Sequence, residues 1–261
     1  MQERHRDKNL YFKEQGITTE KYIIPLIEKH LKIGGETRVL EIGCGEGGNL
    51  LPFAERGCDC LGIDTNEVKI RLGLDFLSEY EMPGKIELIA KFFASPEPQT
   101  IGTFDLIVLK DFIEHVEDQS KFMSEIDSLL KKGGKIFYAF PLWHMPFGGH
   151  QQVCNSRLLS KWPWIHLLPN FLYRWILKAF AEPENKIREL LILHKTGLTI
   201  GKFRKILRSN RWKIDFEIFY LINPNYETKF KLKPRRQFSW LAAIPGIRNF
   251  FTTCCYYLVG K

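Results

Sequence analysis

Short runs of consecutive apolar residues alternate along the chain with segments in which apolar residues recur every three or four positions. The first pattern is typical of strands buried on both faces of a sheet, and the second of amphipathic helices. Strands are predicted at Arg38–Ile42, Cys58–Ile63, Lys85–Ala90, Phe104–Leu109 and Lys135–Phe140. Helices are predicted between them at Asn49–Arg56, Glu67–Tyr80 and Gln119–Lys131, the last closed by Gly133 and Gly134. This alternation indicates a parallel sheet covered by helices.

Segments of different character flank the alternating region. Residues 1–34 are predicted to be a helical lead-in, whose helix is capped by Thr18 or Thr19 and ended by Gly34 and Gly35. The remaining divisions are 35–141, the core; 142–210, an aromatic and basic insertion or lid followed by a helix at 199–209; and 211–261, which supplies late strands at 212–220 and 254–259.

The turn after the first predicted strand is rich in glycine and reads VLEIGCGEGGNL. Glycines allow a tight turn and a close ligand approach, and the following helix offers free N–H groups. Asp64 ends the next strand, where a carboxylate can accept both hydroxyl protons of a ribose. Gly43, Gly45 and Gly48 also satisfy the dinucleotide fingerprint GxGxxG. Glu41 favours another ligand, because a carboxylate there would repel a pyrophosphate but attract the cationic methionyl end of S-adenosylmethionine.

Four segments in order resemble successive motifs of the class I S-adenosylmethionine-dependent methyltransferases. They are VLEIGCGEGGNL, GIDTN, FDLIVLKDFIEHVED and GGKIFYAFP, spread over residues 39–141. The resemblance implies an α/β, Rossmann-like, doubly wound fold with helical insertions. Its seven-stranded sheet would have the order 3-2-1-4-5-7-6 with an antiparallel last strand. The implied cofactor is S-adenosylmethionine, the product S-adenosylhomocysteine, and the reaction an in-line methyl transfer.

The resemblance also implies which residues hold the cofactor. They are Glu41, Gly43, Cys44 and Gly45 around the methionyl part and ribose, Asp64 and Thr65 at the ribose, and Asp111 and Lys110, the latter through its carbonyl, on the methionyl side. One position departs from the family pattern, because Lys91 stands where an Asp or Asn often binds the adenine amino group. Phe92 or Phe93 is expected to pack on the adenine ring instead, with burial of both in the core as the alternative.

Three histidines are candidates for a catalytic base. His115 follows the fourth strand beside Glu114, and His144 and His150 follow the fifth strand in PLWHMPFGGHQQ. A base is needed only if the methyl acceptor arrives protonated, and an imidazole titrates near neutrality. His150 is the preferred base because the two glycines before it let its loop reach over the pocket. The alternatives are a loop-holding hydrogen bond for His115 and a surface position for the other two.

An aromatic and basic segment occupies residues 157–180, inside a stretch from Ser128 to Ala181 without Asp or Glu. It is interpreted as a lid over an apolar acceptor pocket, a peripheral contact with an anionic membrane, or a helix pair packed on the core. Small-molecule, lipid-linked and glycan acceptors all fit. Nucleic acid is not expected, because the basic residues are scattered and no recognition motif occurs.

Composition adds limits on location and metal content. The six cysteines form no CxxC pair, so they are interpreted as reduced thiols and no metal site is expected. Reduced thiols and a polar N-terminus predict a cytoplasmic protein, or one peripheral to the membrane. The net charge of +8 is compatible with an anionic partner or with a solvated basic surface. The oligomeric state stays open.

The sequence therefore predicts a methyltransferase that acts on a small-molecule, lipid-linked or glycan acceptor. Two alternatives remain. A non-catalytic relative that only binds S-adenosylmethionine is left open by the departure at Lys91. A nicotinamide-dependent oxidoreductase is left open by the glycine pattern, although Glu41 counts against it.

Overall fold

The computed structural model describes residues 7–91 and 98–261, which form a central sheet with helices on both faces. The strands are β1 (Arg38–Ile42), β2 (Asp59–Asp64), β3 (Lys85–Ala90), β4 (Phe104–Lys110), β5 (Leu130–Phe140), β6 (Lys213–Ile222), β7 (Arg235–Arg236) and β8 (Cys254–Gly260). The helices are α1 (Lys8–Thr18), α2 (Ile24–Ile27), α3 (Leu51–Glu55), α4 (Glu67–Leu77), α5 (Pro98–Ile101), α6 (Gln119–Glu125), α7 (Asn170–Ala179), α8 (Glu184–Thr196), α9 (Ile200–Ser209), α10 (Asn225–Phe230), α11 (Ser239–Ala242) and α12 (Ile247–Phe250).

The strand order of the sheet is β3-β2-β1-β4-β5-β8-β6-β7. Strands β1 to β5 are parallel, and β8 inserts antiparallel between β5 and β6. The predicted order and the antiparallel last strand are confirmed. The one addition is β7, a two-residue strand beside β6 at the edge of the sheet.

The core lies on both faces of the sheet, as the continuous apolar strands require. Side chains of β4 alternate between the faces: Ile107 and Leu109 join one hydrophobic cluster with residues of α6 and α9. Leu106 and Val108 join the other cluster, with residues of α1, α3 and α4. The carboxyl ends of β1, β2 and β4 thus meet at one edge of the sheet, between the two helix layers.

The predicted start and end of the N-terminal helix are wrong. α1 begins at Lys8, where the Asp7 side chain caps it by accepting the Leu10 N–H at 2.9 Å. Thr18 and Thr19 lie inside the helical run, which continues through a π-helical turn at Thr19–Ile23 into α2 and ends before Gly34. The Thr19 hydroxyl caps nothing, because it donates to the side chain of Asn49 instead.

The predicted helix at Gln119–Lys131 also ends early. α6 stops at Glu125, a 3₁₀ turn covers Ile126–Leu129, and β5 starts at Leu130. Gly133 and Gly134 therefore lie within β5 instead of before it. The strand register changes from Phe104–Leu130 to Leu106–Lys135, so β5 carries extra residues there. A bulge of this kind uses glycine readily, and Gly133 has φ +80°.

The insertion between β5 and α9 packs around its own hydrophobic cluster. Tyr173 and Leu177 of α7 point into this cluster, together with Ile187 of α8. The opposite side of α7 carries Phe171 and Trp175, which are 77% and 66% exposed. α7 is therefore apolar on two faces, of which one has no covering element in the described part of the chain.

Candidate functional site

The glycine-rich turn folds over the carboxyl end of β2. The Gly43 and Cys44 N–H groups donate to the carbonyl of Ile63 at 2.7 and 3.1 Å. The Gly45 N–H donates to Oδ2 of Asp64 at 2.9 Å. Gly43 and Gly45 have φ values of +78° and +58°, a backbone region that disfavours other residues. The turn is thus held by hydrogen bonds to the Ile63 carbonyl of β2 and to the side chain of Asp64, the last residue of that strand.

Asp64 is anchored but keeps capacity for a ligand. Its Oδ1 accepts the Asn66 N–H at 2.8 Å, and its Oδ2 accepts the Gly45 N–H. Each carboxylate oxygen has a second lone pair, and the side chain is partly exposed at the cavity described below. It can therefore accept two further hydroxyl protons.

Gly48 packs directly on the N-terminal helix. A Cβ at this position would lie 2.4 Å from the carbonyl oxygen of Phe12, which is backbone of α1. Across the same contact, a Cβ on Gly16 of α1 would lie 3.3 Å from the carbonyl oxygen of Gly48. Helix α1 thus forms one wall behind the turn.

Glu41 carries a buried carboxyl group near the carboxyl end of β1. Its Oε1 accepts an N–H from the Asn49 side chain at 2.7 Å, and Asn49 in turn accepts the hydroxyl of Thr19 at 3.0 Å. Among the described residues its Oε2 has no hydrogen-bond partner. Burial raises the pKa of Glu41 to about 8, although the Asn49 hydrogen bond and the Lys110 charge act in the opposite direction. A cation near Oε2 would favour its ionised form.

Lys110 contributes a charge that sequence reasoning did not anticipate. Its side chain is buried, and its Nζ lies 3.2 Å from Oδ2 of Asp111. Burial acts against its charge, but Asp111, Tyr11 and Glu41 together hold the pKa of Lys110 above its ordinary value. The expected role of its backbone carbonyl stays a prediction. Asp111 itself has φ +53° and donates its N–H to the carbonyl of Ala139 at 2.7 Å.

A cavity of about 380 Å³ opens at the carboxyl ends of β1, β2 and β4. Its lining residues are Ile42, Gly43, Ile63, Asp64, Thr65, Lys69, Lys91, Asp111, Phe112 and His115. Four of the expected cofactor residues, at positions 43, 64, 65 and 111, therefore line one cavity. Those at 41, 44, 45 and 110 are buried around it. Phe92 and Phe93 lie outside the described residues.

Four lining residues were not expected from the sequence, namely Ile42 and Ile63 at the strand ends and Phe112 and Lys69. Phe112 lies so close to the turn that a Cβ on Gly43 would be 2.6 Å from its ring. Lys69 lies on α4, one turn after the cap formed by the Asn66 side chain. Phe112 directly follows the motif residue Asp111, and this adjacency is a sequence signal that could have identified Phe112. Nothing in the sequence pattern of α4 distinguishes Lys69 from Arg71, the other basic residue of this helix.

A second group of polar residues adjoins the cavity. Glu114 is only 3% exposed, and burial together with Asp111 raises its pKa well above the ordinary value. The rings of His115 and His150 lie 5.2 Å apart. Desolvation lowers the pKa of His150 to about 4, so its imidazole is neutral near pH 7.

His144 is separate from this group. Its ring packs on Phe250 at 5.0 Å, and its carbonyl accepts the indole N–H of Trp164 at 3.1 Å. Two of the three candidate bases, His115 and His150, are thus brought together beside the cavity, whereas His144 connects the insertion to α12.

Comparisons with known proteins identify the family to which the chain is similar. A family model described as a methyltransferase domain matches residues 15–180. A ubiquinone biosynthesis O-methyltransferase from Paraburkholderia phymatum is 35% identical over 117 residues, which cover 43% of this chain and 47% of the relative. The corresponding enzyme from Acinetobacter baylyi is 28% identical over 113 residues, with the same coverage. The match thus spans about half the length of these curated relatives.

Solved structures share the fold at low sequence identity. A putative sarcosine dimethylglycine methyltransferase from Galdieria sulphuraria superposes with a TM-score of 0.58 at 12% identity, covering 93% of this chain and 85% of that one. Magnesium protoporphyrin IX methyltransferase from Synechocystis PCC 6803, solved with bound S-adenosylhomocysteine, gives 0.53 at 14% identity, with coverages of 94% and 82%. At these identities the similarity concerns the fold.

Proposed function

Because the chain belongs to the class I methyltransferases, we propose that it transfers a methyl group from S-adenosylmethionine to a hydroxyl oxygen of a small molecule. The observation that carries the proposal is a cavity lined by Asp64 and His115, with the buried Glu41 close enough to act electrostatically on Asp64 and the His150 ring 5.2 Å from that of His115. Such a transfer requires an acid that holds the ribose, here Asp64, and an acid that faces the cationic cofactor, here Glu41. It also requires polar groups near the acceptor, here His115 and His150.

The residues at the cavity fit S-adenosylmethionine. Asp64 retains acceptor capacity for the two ribose hydroxyls, and Glu41 has a buried oxygen that no described residue pairs. Asp111 adds a second acid at the cavity wall, on the side expected for the methionyl part of the cofactor with its amino group. When bound, the cofactor supplies an electrophilic methyl group on a sulfonium. The protein positions the reactants and excludes water.

The acceptor is proposed to be a hydroxyl-bearing small molecule, as the names of the curated relatives favour. A hydroxyl oxygen is a stronger nucleophile once its proton has been removed. Glu114, His115 and His150 lie together beside the cavity, so this group is assigned the task of removing that proton. The narrower role of His150 as the base stays a prediction.

We further propose that an apolar acceptor is taken up at an anionic membrane surface. No helix in the described ranges is long and apolar enough to cross a bilayer. Phe171 and Trp175 are nevertheless exposed on α7, and Trp240 is 65% exposed on α11. Asp and Glu are absent from residues 128–181 and again from 228–261, whereas each stretch contains seven Lys and Arg residues. Exposed aromatic residues among basic ones are typical of proteins that bind the membrane interface.

The reaction is tested by supplying the purified protein with S-adenosylmethionine labelled on its methyl group. The acceptors are a long-chain alkyl phenol, an alkyl vicinal diphenol and matched alkyl amine and carboxylate compounds, all in phosphatidylglycerol-containing vesicles. We expect label only on a phenolic oxygen, identified by mass spectrometry. Label on nitrogen, or on a carboxylate, would refute the oxygen assignment. Failure to bind S-adenosylhomocysteine in calorimetry would refute the proposed function as a whole.

Membrane contact is tested by sedimentation with vesicles. Wild-type protein should sediment with phosphatidylglycerol vesicles and be released by high salt, because salt screens the basic surface. The double variant Phe171→Ala/Trp175→Ala should lose most of this binding. Leu74→Ala, which removes an exposed apolar side chain from α4, is the matched control. Equal sedimentation of all three proteins would rule out contact through α7.

A further inference from the structure

Glu114 carries a buried carboxyl group that no other described residue pairs. Its side chain is 3% exposed, and neither of its carboxylate oxygens has a hydrogen-bond partner among the described residues. Burying a polar group without a hydrogen bond costs free energy, and such groups are rare in folded proteins. A buried carboxyl group next to a ligand cavity, unpaired among the described residues, is therefore a candidate ligand for a cation.

Two imidazoles complete a ligand set with this carboxylate. One carboxylate oxygen of Glu114 and one ring nitrogen each of His115 and His150 lie within 4.8 Å of one another. We propose that Glu114, His115 and His150 bind one divalent transition-metal ion. Ligands at about 2.1 Å from a metal are about 3 to 3.5 Å apart, so small rotations of the exposed His115 and of His150 would close the site.

The backbone at His150 supports a functional origin for this arrangement. His150 has φ +56°, which costs free energy for a residue other than glycine. The loop that imposes this conformation is firmly held. Gln151 donates from its side-chain amide to the carbonyls of Pro146 and Trp162 at 2.9 and 3.1 Å. A Cβ on Gly149 would lie 2.3 Å from the side chain of His166. The fold thus maintains a strained residue whose side chain reaches Glu114.

Charges of both signs surround the group. Asp111 acts electrostatically on Glu114, His115 and His150, whereas Lys110 acts on Glu114 and Lys69 on His115. The Nζ of Lys110 is already paired with Asp111 at 3.2 Å. A divalent ion would add positive charge at the buried Glu114 carboxyl, which accepts no hydrogen bond from a cationic side chain among the described residues.

The ligand types indicate the class of metal. Two imidazoles and one carboxylate with open positions suit Mn²⁺, Fe²⁺, Co²⁺ or Zn²⁺, whereas Mg²⁺ prefers oxygen ligands alone. His115 also lines the 380 Å³ cavity, so open positions of the metal would be accessible from that cavity. The expectation from the cysteine pattern that the chain has no metal site stays a prediction, and the proposal is its alternative.

Such an ion would take over the activation of the acceptor, an inference that rests on the proposed function. An acceptor hydroxyl bound to the metal loses its proton more readily, because the metal stabilises the oxyanion. The proton leaves to water, and the oxygen then forms the new bond to the methyl carbon as the carbon–sulfur bond breaks. Metal binding itself does not depend on this step.

The proposal is tested with the full chain, freed of metal by a chelator, by titration with Co²⁺. We expect one equivalent to bind, with a visible absorption band typical of imidazole and carboxylate ligands. His150→Ala and Glu114→Gln should each weaken binding at least about tenfold, since even loss of an outer hydrogen-bond partner costs that much. His144→Ala, in the same loop but outside the group, should bind as the wild type does.

Two results would overturn the proposal. One is the absence of a Co²⁺ band in the wild-type protein, and the other is an equal loss in His144→Ala and His150→Ala. Thermal unfolding with S-adenosylhomocysteine separates the proposals, because that ligand requires Asp64 and not the metal. Stabilisation by S-adenosylhomocysteine without Co²⁺ binding would leave the methyltransferase function in place and remove the metal site.

Discussion

Replacing Glu41 by Gln should make the ligand-free protein more stable and its cofactor binding weaker. The pKa of Glu41 is about 8 in the folded chain, against an ordinary value of 4.5. Near pH 7 the buried carboxyl is thus mostly protonated in the folded state but ionised in the unfolded state. The difference of about 2.5 pH units between 4.5 and 7, at 1.36 kcal/mol per unit, amounts to about 3 kcal/mol in favour of unfolding.

The sign of the pH dependence follows from proton binding. Between pH 4.5 and 8 the folded state holds one proton more than the unfolded state at Glu41, so wild-type stability falls as pH rises. Glu41→Gln has no such proton. The amide oxygen can still accept the Asn49 N–H that now binds Oε1. The stability gain of the variant should therefore be below about 1 kcal/mol at pH 5 and about 3 kcal/mol at pH 7.

Urea unfolding at pH 5, 6 and 7 measures this difference directly. At pH 7 the melting temperature should rise by roughly 5 to 10 °C, given the size of the chain. Glu36→Gln, an exposed glutamate before β1, is the control and should show no pH-dependent gain. The affinity for S-adenosylmethionine should fall in calorimetry, because Gln cannot neutralise a cation. A stability difference that is the same at all three pH values would refute the assignment of Glu41 as a carboxyl destabilised by burial.

Two further substitutions examine the turn itself. Asp64→Asn should weaken S-adenosylhomocysteine binding by about 1 to 3 kcal/mol in calorimetry, because the amide accepts fewer hydroxyl protons than the carboxylate. Asp75→Asn on α4 is the control. If the two variants bind with equal affinity, Asp64 does not hold the ribose. Gly48→Ala should lower the free energy of unfolding by about 1 to 3 kcal/mol, because its Cβ would meet the Phe12 carbonyl at 2.4 Å. Gly34→Ala, where a Cβ meets nothing within 4 Å, should change the urea midpoint little, and similar losses in both would contradict the proposed packing.

The sheet was predictable because most of its strands are short apolar runs bounded by turn residues. β1 and β3 were predicted residue for residue, since each has an apolar run between polar and glycine-containing turns. β7 was missed because two residues, Arg235 and Arg236, carry no periodicity. The early end of α6 was missed because Gly133 reads as a helix stop, whereas it serves a bulge that only the register of β4 and β5 defines.

The candidate site divides in the same way. Residues that belong to a local motif, such as Gly43 and Asp64, could be placed from their spacing alone. The partnership of Glu114 with His150 could not, because it joins residues 36 positions apart through the path of a loop. The buried charge of Lys110 beside Glu41 likewise depends on two neighbouring strands, so only the folded chain reveals it.

The contact of α1 with the glycine-rich turn ties the N-terminal helix to the cofactor site. Phe12 meets Gly48 backbone to backbone, and Thr19 ends a hydrogen-bond chain that begins at Glu41. Opening of this helix would therefore loosen the turn, and a ligand that tightens the turn would slow that opening. Amide hydrogen exchange in residues 8–23 should therefore be slower when the cofactor is bound, although this helix is not part of the cavity lining. A minimal catalytic fragment that starts at β1 would lack this support and bind its cofactor poorly.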